Sequence, residues 1–238
     1  MEKSVSVIIV STKKQEEKIE LIKSLLDTAG CEVSILFVTN DGNFPLSKIF
    51  LNTIPKAKSD IVVLMHDDIE IIKEGWGAEL IRLFDEHKDY GIIGVAGSAD
   101  FDEGCAWWKN KELYGQVLHR YDGKSWLTAF SPLFEEGHDL EEVCVIDGVF
   151  MAIERTRIAE QFGEDIPGFD FYDVDFCLRN FLSKKTKIGV TTNIRICHQS
   201  VGQLKPQWYI NRMYILDKFK GKFPFKVHKG FNYGKKRK

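Results

Sequence analysis

An α/β fold with a mostly parallel central sheet is predicted from three observations. Short runs of β-branched and aliphatic residues alternate with segments of helical periodicity along the N-terminal part of the chain, the spacing expected of right-handed β-α-β units. The run Ile61-Val62-Val63-Leu64-Met65 has no polar face, as a strand covered on both sides requires. At 238 residues, 44% hydrophobic and 29% charged, the chain can bury a substantial core as an ordinary globular protein.

The first predicted strand is Val5-Ser6-Val7-Ile8-Ile9-Val10, followed by a helix over 16–29 with Ile19, Ile22, Leu25 and Leu26 on one face and Gly30 to close it. A second strand over 33–39 runs into the turn sequence Asn40-Asp41-Gly42. A short amphipathic helix over 45–55 separates it from the third strand, 61–65, and a helix over 74–87 comes next. Gly91 to Gly97 reads as a short glycine-spaced strand. From 98 to 140 periodicity is lost, and Trp107, Trp108, Tyr114, Tyr121 and Trp126 are scattered among Gly and charged residues. A stretch of that length inside a compact domain is usually functional. Strand character resumes over 143–153 and 188–197, with a helix over 171–182 between them and a final amphipathic helix over 206–219. There is no internal repeat, so the division expected is one domain over 1–205 followed by a C-terminal helix and tail over 206–238.

The third strand ends abruptly in His66-Asp67-Asp68. In an open α/β sheet the carboxyl ends of the strands are where ligands bind. Adjacent carboxylates repel each other, and a divalent cation relieves that repulsion. A metal there suggests a phosphorylated substrate. Further polar positions fall at strand ends or at a helix start: Asp41, Asp173 with Asp175, and His198. Two adjacent indoles in an irregular, glycine-flanked stretch cannot easily both face inward, so Trp107 or Trp108 is expected to face a ligand.

The order Val5 to Val10, Asp41-Gly42, His66-Asp67-Asp68, Gly168-Phe169-Asp170 and Tyr172-Asp173-Val174-Asp175-Phe176-Cys177-Leu178-Arg179 resembles the family 2 type of nucleotide-diphospho-sugar glycosyltransferases, which have the GT-A fold. The resemblance covers roughly residues 4–200 and implies the following roles. Asp41 would bind the nucleoside base, and Asp68, at the last D-x-D position, would bind Mn²⁺ or Mg²⁺. His198 would be a second metal ligand, with His66 and Asp67 beside the donor. Asp147-Gly148 would line the donor sugar, and Asp173 would be the general base. His66 stands where the family has Asp, and Tyr172 where it has Glu.

The residue types suit the chemistry independently of the resemblance. A divalent cation stabilises a departing diphosphate, one carboxylate can take the proton of an acceptor hydroxyl, and a single displacement inverts the anomeric carbon. The expected function is therefore inverting, metal-dependent transfer from a nucleotide-diphospho-sugar to a glycan or a lipid-linked sugar, in glycan or surface polysaccharide synthesis. Two other classes compete. A catalytically inactive domain that binds nucleotide sugars or glycans is kept in view by His66 and Tyr172. A sugar-phosphate nucleotidyltransferase needs a Gly-rich loop after the first strand, and Ser11-Thr12-Lys13-Lys14 has no glycine.

The five cysteines are odd in number, widely spaced and without a C-x-x-C pair, which points to reduced, buried thiols. No signal peptide or membrane span is evident, so a cytoplasmic location is expected. From Asp217 onward, nine Lys or Arg face one acid, a charge of +8, which leaves −10 on the first 216 residues of a chain whose total is −2. A basic terminus of this kind can be a solvated tail or can contact the inner face of an anionic membrane. The acidic body argues against nucleic acid.

Overall fold

The structure, a computed structural model, describes residues 3–227. The chain begins β1 (Val5–Ser11), α1 (Ile19–Thr28), β2 (Val33–Thr39), α2 (Leu46–Thr53), β3 (Ile61–Met65), β4 (Ile69–Ile71), α3 (Trp76–Glu86), β5 (Tyr90–Gly94) and β6 (Ala96–Ser98). It continues through β7 (Asp100–Phe101), β8 (Leu113–Tyr121), β9 (Lys124–Ala129), β10 (Glu141–Val143), β11 (Val145–Ile146) and β12 (Phe150–Glu154). The last described elements are α4 (Tyr172–Ser183), β13 (Lys187–Val190), β14 (Ile196–His198), α5 (Pro206–Lys218) and β15 (Phe225–Lys226).

The central sheet has the order β10-β13-β5-β12-β3-β1-β2. Five of its strands share one direction, while β12 runs antiparallel between β3 and β5 and β10 runs antiparallel on β13. The sheet is therefore mixed around a parallel majority. Every residue of β3 is buried, which is why its sequence shows no alternation. In the parallel register Ile9 is level with Met65, so the two strands deliver Ser11 and Asp67 to the same height at the sheet edge.

A second sheet, β11-β6-β8-β14-β4 with β9 paired to β8, stands at that edge. It accounts for the segments whose predicted boundaries differ. The strand expected over 91–97 is divided between the two sheets, and so is that over 188–197; 143–153 becomes three short strands. The strand halves on either side of these corners are largely buried, and periodicity does not register the change of sheet.

The stretch over 98–140, expected to be irregular, contains a hairpin. β8 and β9 pair antiparallel from Gln116–Ala129 to Tyr121–Lys124, and Asp122 (φ 50°) and Gly123 (φ 70°) make the two-residue turn. Two consecutive positive φ angles are the type I′ geometry that Asp-Gly favours. That dipeptide was the signal in the sequence.

Of the predicted inner face of α1, Ile22 and Leu25 are buried, whereas Ile19 and Leu26 are exposed. α5 is not simply amphipathic. Trp208, Asn211 and Ile215 are buried, but Tyr209, Ile210 and Met213 on the outer side are apolar too. All five cysteines are free, and four of them are buried. Among the described residues no helix is long and apolar enough to cross a membrane. Most of the basic tail, residues 228–238, lies outside the described residues.

Candidate active site

A cavity of about 850 Å³ opens where the carboxyl ends of β1 and β3 meet the second sheet and the start of α4. Its lining includes His66, Asp67, Asp68, Trp107, Trp108, Asp147, Asp173 and His198. These come from five separate stretches of sequence. Asp41 does not line it; this residue sits in the exposed turn after β2, where its Oδ1 accepts the Asn43 N–H at 3.3 Å.

β3 hands over to His66, whose backbone N–H donates to the Val149 carbonyl at 3.1 Å. β14 pairs antiparallel with β4 so that His198 faces Ile69, one residue from Asp68. His198 Nε2 thus lies 3.2 Å from Asp68 Oδ1, and His66 Nδ1 lies 3.9 Å from the same oxygen. The two imidazole rings are 5.5 Å apart. One ligand atom from each of His66, Asp68 and His198 falls within 4.8 Å of the others. Burial alone would raise the Asp68 pKa, but the hydrogen bond and charge of His198 outweigh it and pull the carboxyl down to about 2. Burial lowers the His66 pKa and so favours the neutral imidazole that a metal requires. Two imidazoles and a carboxylate form a donor set suited to a first-row divalent ion.

Asp67, the middle residue of the motif, is committed elsewhere. Ser11 Oγ donates to its carboxylate, and Lys18 Nζ lies 3.0 Å from Oδ2 while donating to its backbone carbonyl at 2.7 Å. The structure therefore groups His66, rather than Asp67, with Asp68 and His198.

Asp173 lies in the first turn of α4, across the cavity. Its Oδ2 accepts the Gly148 N–H and its Oδ1 accepts its neighbour Val174 N–H, each at 2.8 Å. The Tyr172 hydroxyl donates to the Gly148 carbonyl at 3.0 Å, so the first turn of α4 holds the Gly148 residue through both of its backbone polar groups. A Cβ at Gly148 would come within 2.1 Å of that hydroxyl. Burial, reinforced by the negative charge of Asp147, pushes the Asp173 pKa up to about 7 against the pull of the backbone donors. Asp147 accepts the Val149 N–H at 2.8 Å.

Asp175, two positions along the helix, is buried on another side, 2.7 Å from Lys218 Nζ and 3.1 Å from Arg179 Nε. Trp107 is only 4% exposed and Trp108 is 36% exposed. Trp108 reaches Trp208 at 6.2 Å between ring centroids, and Trp208 packs on Phe171 at 5.1 Å. Sequence reasoning missed His119 and Lys205, which also line the cavity. His119 is placed beside His198 by the parallel pairing of β8 with β14, a neighbourhood that depends on the unrecognised hairpin.

Residues 5–218 match the model of the glycosyltransferase-like family. No curated protein sequence matches the chain. Among solved structures, GalNAc-T7 with UDP, GalNAc and Mn²⁺ superposes with a TM-score of 0.54 at 11% identity, covering 91% of this chain and 48% of that one. A197 from STIV gives 0.45 at 15% identity over 85% and 98% of the two chains, and S. aureus TarS gives 0.49 at 13% over 92% and 39%. The chain thus spans about half the length of GalNAc-T7 and less of TarS. At these identities the likeness concerns the fold, a mixed α/β GT-A architecture. The match over nearly the whole described chain assigns this protein to the glycosyltransferase-like family.

Proposed function

We propose that the protein transfers a sugar, with inversion, from a nucleotide-diphospho-sugar to an acceptor hydroxyl, using a divalent cation such as Mn²⁺ or Mg²⁺. The observation that carries this reading is the disposition of one cavity. A cluster of two imidazoles and a carboxylate lies at the end of β3, and a carboxylate with a pKa near 7 lies at the start of α4.

His66, Asp68 and His198 are the residues that would hold the cation, which when bound neutralises charge on the diphosphate. Asp173 accepts the proton of the acceptor hydroxyl as the new bond forms to the anomeric carbon and the bond to the diphosphate oxygen breaks. Gly148 and Val174 fix the base through their N–H groups, and burial, with the charge of Asp147, keeps its pKa high enough to compete for that proton. Trp108 offers an accessible aromatic face for a sugar ring, while the buried Trp107 packs behind it at 6.0 Å. A glycan or lipid-linked sugar is the acceptor class that fits such a face, with surface polysaccharide or glycan synthesis at the cytoplasmic side as the setting.

A panel of nucleotide sugars, screened for thermal stabilisation with Mn²⁺ present, tests the donor assignment. A true donor at about 100-fold over its Kd adds about 2.7 kcal/mol of stability, and the same donor with chelator present stabilises far less. If no nucleotide sugar or nucleoside diphosphate stabilises the protein, the assignment fails.

A further inference from the structure

The outer face of α5 has no partner among the described residues. Tyr209, Ile210 and Met213 are 56%, 60% and 60% exposed, and their spacing places them within about 100° of one another around the helix. A solvated helix face normally carries charge at such positions. This apolar face continues towards the cavity mouth. Leu204, just ahead of α5, and Phe169 both line the cavity and are exposed. Asn211 Nδ2 ties the segment bearing Phe169 to α5, donating to the carbonyls of Pro167 at 2.7 Å and Asp170 at 3.0 Å.

Basic residues gather around the face. Lys205 precedes the helix, and Lys220 and Lys222 follow it; none of the three forms an ion pair among the described residues. Arg212 donates to the backbone carbonyls of Gly104 at 3.1 Å and Glu103 at 2.6 Å, and to no carboxylate. The exposed Asp217, and Asp170, which lies close enough to Lys205 to feel its charge, are the acids that oppose them. The sequence beyond the described residues adds Lys229, Lys235, Lys236, Arg237 and Lys238.

We propose that Tyr209, Ile210 and Met213 on α5 dock this enzyme onto an anionic lipid bilayer, with Lys205, Arg212, Lys220 and Lys222 meeting the headgroups. A 13-residue helix is too short to span a membrane but long enough to lie in its surface, where burial of apolar side chains and attraction to anionic lipid add. The cavity mouth then faces the membrane through Leu204 and Phe169, and a lipid-linked acceptor can enter without leaving it. That use of the surface rests on the transferase reading; the docking itself does not.

Sedimentation of the full chain with phosphatidylglycerol-containing vesicles, against pure phosphatidylcholine vesicles, tests the docking. The full chain is expected to bind the anionic vesicles only, and more weakly as salt rises. The double variant Ile210→Glu, Met213→Glu is expected to lose binding by about tenfold or more, with its melting temperature and its release of nucleoside diphosphate from a water-soluble reaction unchanged. Lys220→Glu, Lys222→Glu should weaken binding without abolishing it. Unaltered vesicle binding by the folded apolar double variant would overturn the proposal and leave the tail as the anchor. So would absence of binding by the full chain, or a dimer in solution that the same double variant dissociates. If vesicles bind as expected but no nucleotide sugar is turned over, the surface stands and the transferase reading falls.

Discussion

Asp173 shows how one residue's environment sets its use. A carboxyl at its ordinary pKa is a weak acceptor for a hydroxyl proton, and efficiency rises as the base approaches the working pH. Burial and Asp147 raise this group to about 7, so its ionised, proton-accepting form predominates above that pH and is lost as pH falls through it. Turnover is therefore expected to rise with pH along a limb centred near 7, measured as kcat against pH at saturating donor. Removing the neighbouring charge with Asp147→Asn lowers the Asp173 pKa and moves that limb to lower pH. A limb that stays in place excludes Asp147 as the tuning group. In the sequence Asp68 stands out as one of two acids closing a buried strand, whereas His198 and Asp173 are singled out by the family resemblance, because a lone histidine or an acid in a first helical turn usually has a structural use. The grouping of His66 with the first two was not legible, since it depends on Ser11 and Lys18 drawing Asp67 aside.

Among the elements, the junction of α4 with α5 separates function from stability within one short motif. Asp173 and Asp175 lie about 200° apart around α4, and the structure puts only the first in the cavity. Asp175 is buried against Lys218 of α5 and Arg179 of its own helix. Truncating one member of a buried charged cluster leaves the others without compensation, so Asp175→Ala is expected to cost about 2–4 kcal/mol, the lower part of the range reflecting the partial exposure of both cations. Urea unfolding checks this, and the donor affinity of the folded fraction should change little. A variant as stable as the parent would show that the cluster does not hold α5. Helices and the parallel strands were legible at this scale because their periodicity reflects a single layer. The β5–β6 and β13–β14 divisions were hidden because both halves are buried, and the β8–β9 hairpin was hidden because its aromatic and polar residues alternate without a clear apolar face.

For the molecule as a whole, the cavity exists because two sheets meet at the end of β3, one supplying His66 and Asp68 and the other supplying His198. A cation bound there links the sheets and stabilises the fold by mass action. Mn²⁺ alone is expected to raise the melting temperature of the parent protein, whereas His198→Ala should abolish the increment. An equal shift in both proteins would place the ion elsewhere.

The central claim joins the two sides of that cavity in one reaction, and the rate of nucleoside diphosphate release from a stabilising donor and its acceptor tests it most directly. With Mn²⁺ present, Asp173→Asn keeps the shape of the side chain and removes its basicity, so kcat should fall by about 10²–10⁴-fold while donor affinity stays nearly intact. Near-normal turnover by Asp173→Asn would contradict the account.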